Sequence, residues 1–276
     1  MSEKTQQKEG LKIGMVGKGG VGKTLLASTI ARLAGRSNKF KKILAIDNDP
    51  SLNLGMALGV PEDEIGPPIS EMADLIKERT GKAPGEGGAF KLNPKVNDIP
   101  EKYTVDAPDN VRLLVLGTIK DPGSGCLCSS NTLVRELLYH LIVQRDELVV
   151  LDFEAGIESS MGRATSKGLD ILFVIVEPGQ KSIQVGEKAT KMAKKLGIKN
   201  VFTVLNKVEG SEQEGFLRAE LAKRDMEIFG IIPRSKAVSE SDMKGVPLLD
   251  YSSEDTSVQA IQAILDKLIQ DYYALG

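Results

Sequence analysis

The sequence predicts an α/β fold, a mostly parallel central sheet with helices on both faces. Three observations predict it. Short runs of Val, Ile and Leu recur along the chain, continuous rather than alternating, as strands covered on both faces require. Segments with the helical spacing of apolar residues lie between them. The two kinds of segment take turns, which implies parallel strands joined by right-handed crossovers.

The elements follow in order. Residues 11–16 (LKIGMV) read as a buried strand, and 24–33 as the helix after it. A second strand at 43–47 (ILAID) runs into the turn-forming Asp-Pro of Asp49 and Pro50. The stretch 61–108 breaks the rhythm. It is rich in Pro and Gly, with one helical pattern at 69–80 and then a loop over 81–103, and reads as either a mobile surface insertion or a lid or docking element. The alternation then resumes with strands at 111–117, 148–152, 171–177, 201–206 and 228–233. Helices are expected at 131–145, 180–196, 214–224 and 256–272. No linker or repeat divides the 276 residues, so a single domain over 1–276 is expected, with 61–108 as its insertion.

Composition narrows the function. With 36 basic and 38 acidic residues the formal charge is −2, which leaves no electrostatic footprint for nucleic acid. Residues 1–10 are polar and lack an apolar signal core, and the apolar run 171–176 is far too short to span a membrane. Two cysteines supply no disulfide framework, so a reducing cytoplasm is the expected compartment.

Ligands of such sheets sit at the carboxyl ends of strands, and the chemistry-bearing residues fall there. After the first strand come Gly17, Lys18, Gly19, Gly20, Val21, Gly22, Lys23 and Thr24, which match G-x-x-x-x-G-K-[ST]. The glycines let successive N–H groups turn inward around phosphate oxygens. Lys23 is expected on the β- and γ-phosphates and the Thr24 hydroxyl on Mg²⁺. The first turn of the following helix, from Leu25, adds its amides to the anion site.

The second strand ends in Asp47-Asn48-Asp49, two carboxylates able to face a phosphate–Mg²⁺ group, with Asp49 placed to orient the attacking water. The strand at 148–152 ends in Asp152, the position from which an acid holds Mg²⁺ through water, and Gly156 beyond it is able to offer an N–H to the γ-phosphate and swing on hydrolysis. Asn206, before Lys207, has an amide that can face an adenine edge or simply open a turn. Lys18 duplicates a charge that Lys23 already supplies. It is either solvated or, across a two-fold axis, aimed at a partner's phosphates.

The only two cysteines, Cys126 and Cys128, lie two apart in the loop GSGCLCSS before a helix. Buried cysteines usually sit in apolar elements, which weakens a packing role, and a Cys-x-Cys disulfide would close a small strained ring. A closed thiolate site wants four ligands. The one histidine, His140, is about 15 Å along the predicted helix and ill placed to help. A symmetric dimer would supply the pair twice, and the same dimer would let Lys18 act across its interface.

Taken together these residues resemble one family. The phosphate loop with Lys18 resembles the deviant Walker A of the MinD/ParA/nitrogenase-iron-protein group of P-loop NTPases. Within that group, Asp152-Phe153-Glu154-Ala155-Gly156-Ile157-Glu158 and Gly125-Cys126-Leu127-Cys128 are similar to the CooC type, nickel-insertion accessory ATPases for carbon monoxide dehydrogenase and acetyl-CoA synthase. Parts of the insertion, from Glu78 to Gly81, from Lys91 to Val96 and from Asp98 to Tyr103, are similar as well. The resemblance implies an ATP- and Mg²⁺-dependent homodimer with Lys18 as the cross-dimer lysine, Asp49 as the water-orienting carboxylate and Asn206 at the adenine. Cys126 and Cys128 would hold Ni²⁺ or Zn²⁺ for a nickel-enzyme client. One departure stands out: where that family's pattern has a histidine before Gly162-Arg163, this chain has Ser159-Ser160-Met161.

Rival functions leave their own marks. Lys188, Lys191, Lys195 and Lys199, with Lys194 beside them, fall near one helix face, as in a DNA-positioning ATPase or a merely solvated surface. Val258, Ile261, Leu265, Leu268 and Tyr272 form the apolar stripe of either a membrane-binding tail or a helix packed on the sheet, and Asp266 and Asp271 on its polar side favour packing. The same four thiolates would also suit an iron–sulfur carrier.

Overall fold

The computed structural model describes residues 10–117, 128–143, 147–153, 166 and 168–273. Eight strands form one sheet: β1 (Lys12–Gly17), β2 (Ile43–Asn48), β3 (Val105–Ala107), β4 (Val111–Val115), β5 (Leu148–Phe153), β6 (Ile171–Val176), β7 (Asn200–Val208) and β8 (Ile228–Pro233). Their order is β3-β4-β2-β5-β1-β6-β7-β8, and every pairing is parallel except β3 with β4. This is the expected α/β architecture, with the seven expected strands in place and β3 added as an antiparallel edge.

The helices are α1 (Lys23–Arg36), α2 (Leu54–Leu58), α3 (Ala73–Thr80), α4 (Ile99–Tyr103), α5 (Cys128–Val143), α6 (Gln180–Leu196), α7 (Gly210–Ala222), α8 (Lys236–Met243), α9 (Leu248–Tyr251) and α10 (Thr256–Leu268). The helix expected over 214–224 starts four residues earlier, and α10 gives way to a wider turn over Ile269–Tyr273. Ser235 and Asp255 cap α8 and α10, each accepting from the backbone N–H two residues on.

Strand residues alternate between two cores. Ile13, Met15, Ile43, Ala45, Leu148, Val150, Ile171 and Phe173 point to one face, where Leu26, Ile30, Val258, Ile261 and Leu265 of α1 and α10 cover them. Val16, Leu44, Ile46, Val149, Leu151, Leu172 and Val174 point to the other, beneath Leu133, Leu137 and Leu141 of α5, Ile183 of α6 and Leu217 of α7. Burial on both faces is what made these strands continuous apolar runs. The stripe Val258, Ile261, Leu265 and Leu268 is spent on this core.

The insertion is packed rather than loose. Ile69, Leu75, Ile76, Val96 and Ile99 are buried in the α5-side core. Ser70 N–H donates to the Leu116 carbonyl at 3.0 Å, and Arg79 grips Asp98 with two bonds of 2.7 and 2.8 Å. Among the described residues no helix is long and apolar enough to cross a membrane.

Candidate active site

The carboxyl ends of β2, β5, β1, β6 and β7 stand side by side, in that order across the sheet. They surround the turn from β1 into α1, which holds the Gly17–Thr24 octet. Two glycines there are dictated by close approach. Gly17 has φ +154°, and a Cβ on it would lie 2.6 Å from the Ile175 carbonyl of β6. Gly22 has φ +101°, and a Cβ on it would strike the Asn206 side-chain nitrogen. Leaving that conformation, the chain enters α1, whose first amides have no partner within the helix.

Lys23 is buried and its Nζ lies 3.8 Å from Asp49 Oδ2. Asp49 is held by its surroundings: its N–H donates to Asp47 Oδ1 at 3.1 Å, and its Oδ1 accepts from the Ser51 N–H and hydroxyl at 2.9 and 2.6 Å. That leaves Oδ2 on the side of Lys23. Asp47 also accepts from Leu54 N–H at 2.9 Å, which ties the strand end to α2. Burial pushes the Asp47 carboxyl up to about 6, against the pull of those two backbone donors.

Asp152 is aligned with Asp47 on the neighbouring strand and is 1% exposed. Its Oδ2 accepts from the Thr24 hydroxyl at 2.5 Å, while Oδ1 is buried with no hydrogen-bond partner. Burial raises its pKa to about 7; the Thr24 bond opposes this and the Asp47 charge adds to it. A hydroxyl and an unpaired buried carboxylate oxygen, facing the phosphate loop, fit Mg²⁺, a hard cation usually held by one or two carboxylates together with substrate phosphates.

Asn206 and Lys207 brace the loop from β7. Asn206 is buried, donates from Nδ2 to the Val21 carbonyl at 2.8 Å and accepts on Oδ1 from the Lys207 N–H at 2.9 Å. One amide hydrogen and one lone pair remain for another partner. Lys207 has φ +60° and donates from Nζ to the Gly20 carbonyl at 2.5 Å and to Glu177 Oε2 at 2.9 Å. Lys18 Nζ donates to the other oxygen, Glu177 Oε1, at 2.9 Å. Burial alone would raise the Glu177 pKa, but the two lysines hold it below the usual carboxylate range. Glu177 was not among the residues expected from sequence. Its signal was the same as for Asp47 and Asp152, a carboxylate ending an expected apolar strand.

Lys18, Lys23, Asp47, Asp49, Thr24, Asp152, Asn206 and Lys207 therefore gather at the carboxyl ends of the strands around the loop. Gly19 and Gly20 are exposed and Leu25 packs against the α1 core. Gly156 and Cys126 lie outside the described residues, as do Ser159, Ser160 and Met161; Cys128 opens α5. Among the described residues no group of three or more His, Cys, Asp or Glu is arranged to hold a metal ion. The exposed lysines of α6 are partly neutralised, Lys191 by Glu187 at 2.6 Å and Lys194 by Asp225 at 2.9 Å.

Comparison with known proteins agrees with this geometry. Residues 15–248 match the CobQ/CobB/MinD/ParA nucleotide binding domain. The chain is 40% identical over 265 residues to an uncharacterized ATP-binding protein of Methanocaldococcus jannaschii, covering 94% of this chain and 98% of that one. It is 38% identical over 262 residues to the carbon monoxide dehydrogenase accessory protein CooC of Rhodospirillum rubrum, covering 94% and 97%. In fold it is similar to the septum site-determining protein MinD of Pyrococcus horikoshii, solved with Mg-ADP, with a TM-score of 0.68, 22% identity and coverage of 96% and 97%.

Proposed function

Because this chain belongs to the CobQ/CobB/MinD/ParA nucleotide-binding family and is an ATPase, we propose that it is a metal-delivery ATPase. In this reading ATP draws two chains into a two-fold dimer, and paired cysteines carry a nickel-class ion to a nickel enzyme. One observation carries it: the likeness to CooC, a protein named as accessory to carbon monoxide dehydrogenase, runs over nearly the full length of both chains. The client is accordingly carbon monoxide dehydrogenase or a related acetyl-CoA synthase.

The residues divide the work. Lys23, the loop amides and the α1 N-terminus hold the phosphates of ATP. Thr24 and Asp152 would hold Mg²⁺, which would supply neutralisation of charge on the phosphate oxygens. Asp49 Oδ2 orients the attacking water, its other oxygen already spent on Ser51. Gly156 offers its N–H to the γ-phosphate and shifts after hydrolysis. Asn206 uses its remaining amide capacity on the adenine, with Lys207 beside it. Lys18 crosses the interface to the partner's phosphates.

Cys126 and Cys128 of both chains give four thiolates on the two-fold axis. Ni²⁺ is the cargo under this reading. Zn²⁺ would bind such a four-thiolate set as well. ATP and metal favour the same dimer, so each raises the other's affinity. Hydrolysis loosens the dimer and frees the ion.

The test is metal stoichiometry in wild type and in Cys126→Ser/Cys128→Ser. One Ni²⁺ or Zn²⁺ per two chains, abolished in the double variant, is the expected result. One metal per dimer retained in the double variant would remove the cysteines from the site.

A further inference from the structure

A charge cluster at the end of β6 centres on Glu177, a carboxylate that takes no part in the hydrolysis chemistry above. Glu177 shares its carboxylate between two lysines, Lys18 on Oε1 and Lys207 on Oε2, each at 2.9 Å. Its backbone N–H donates to Ser182 Oγ at 3.0 Å, which fixes it against the first turn of α6. Gly17 pairs in register with Ile175, so the end of β6 runs beside the start of the phosphate loop. Lys18, the next residue, leans back onto its own chain rather than away from it.

The two lysines differ in what else holds them. Lys207 has a second anchor, the Gly20 carbonyl at 2.5 Å, and a backbone of φ +60° that side-chain-bearing residues seldom adopt. Lys18 is the more exposed of the pair, 42% against 33%. When Lys18 leaves, Glu177 keeps Lys207 as its counter-ion. No half-buried charge is stranded, and stranding one is what makes such pairs costly to open.

We propose that Glu177 is a positioning residue that parks Lys18 on its own protomer, and so sets the protein concentration at which ATP drives dimerisation. Lys207 is the standing counter-ion that lets the parking be reversible. The proposal rests on the reading that Lys18 acts across the dimer. A partly exposed lysine–carboxylate pair is weak, so each latch changes an equilibrium constant by a factor of about 1.5 to 5, and the two latches of a dimer by roughly 2 to 25 together.

The experiment measures the dimer dissociation constant by sedimentation with Mg²⁺ and a hydrolysis-resistant ATP analogue, alongside the analogue's affinity for the monomer. Glu177→Gln is expected to tighten the dimer by about 2- to 25-fold with monomer affinity unchanged. Glu177→Asp, one methylene shorter, shifts the dimer the same way by a smaller factor and serves if the glutamine variant does not fold. In a Lys18→Ala background Glu177→Gln has no effect, because nothing is left to park. A Glu177→Gln dimer no tighter than wild type, while Lys18→Ala weakens dimerisation, overturns the latch and leaves the cross-dimer lysine standing. A dimer constant unmoved by Lys18→Ala overturns the cross-dimer reading itself. Weakened nucleotide binding by the Glu177→Gln monomer makes Glu177 a brace of the loop and also overturns the latch.

Discussion

Replacing Asp152 by Asn should stabilise the ligand-free protein at neutral and alkaline pH while weakening its response to Mg²⁺. Asp152 is 1% exposed, adjacent in register to the equally buried Asp47, and burial holds its folded pKa at about 7. An unfolded aspartate titrates near 3.9. Between those two values the folded state binds the extra proton, so stability falls as pH rises through the window and levels off above the folded pKa. The gap of about three pH units corresponds to roughly 4 kcal/mol at most. Asn does not titrate and its amide oxygen still accepts from Thr24. The variant's advantage should therefore be under about 1 kcal/mol near pH 4 and approach 4 kcal/mol by pH 8. For 276 residues the unfolding entropy makes that a rise in Tm of roughly 7 °C. Thermal unfolding in EDTA, followed by circular dichroism at pH 4, 6 and 8, reads it directly. Repeating the pH 8 scan with Mg²⁺ and ATP should narrow the gap, because Mg²⁺ held through Asp152 stabilises wild type more than the variant. A wild-type/variant gap that does not widen with pH would refute the argument that Asp152 is a strained, desolvated carboxylate waiting for a cation.

Other substitutions test other parts of the site and the fold. Gly22→Ala places a methyl against Asn206 Nδ2 at a backbone φ of +101°; it should abolish ATP binding and cost more than about 1 kcal/mol, and normal binding measured by calorimetry would contradict the packing of β7 under the loop. Asp49→Asn should bind ATP normally yet hydrolyse it about 100-fold or more slowly, the usual worth of a positioned acid–base group; a single-turnover rate within a few-fold of wild type would exclude Asp49 from the water. Arg32, 3% exposed, bonds Asp109 at 2.7 Å and Asp250 with both terminal nitrogens; Arg32→Met leaves Asp109 with Arg36 at 3.0 Å and should cost about 1.5 to 3 kcal/mol in urea unfolding, the worth of hydrogen bonds to charged groups, where a cost under about 1 kcal/mol would show the network to be a surface one.

Most of the site was legible because its residues sit where short-range rules put them. Asp47 and Asp152 end continuous apolar strands, and the octet lies between a strand and a helix, so three short sequence windows pick out residues that the fold brings together around the loop. Glu177 carries the same local signal, but its partners are 159 and 30 residues away. Its pairing depends on β6 lying between β1 and β7, which only the sheet order supplies. Asn206 was expected at a strand end but lies inside β7, two residues before Val208, and nothing local announced that its amide holds the Val21 carbonyl. The insertion was hardest to read. Its Pro and Gly content resembles that of a loose loop, and beyond the helical pattern at 69–80, which holds Ile69, Leu75 and Ile76, no period announces Val96 and Ile99, yet all five are buried in the α5-side core. Strand β3 failed for a related reason, being three residues, half-buried, with Asp106 exposed in the middle.

The central claim is that ATP and a thiolate-bound metal stabilise one and the same dimer. The most direct measurement is molar mass by light scattering while Ni²⁺ or Zn²⁺ is titrated into metal-free protein, with and without a hydrolysis-resistant ATP analogue. The account predicts one metal per two chains, a doubling of mass, and tighter metal binding when the analogue is present. An ATP-dependent dimer that forms while metal binds weakly, or binds equally with and without nucleotide, would contradict it.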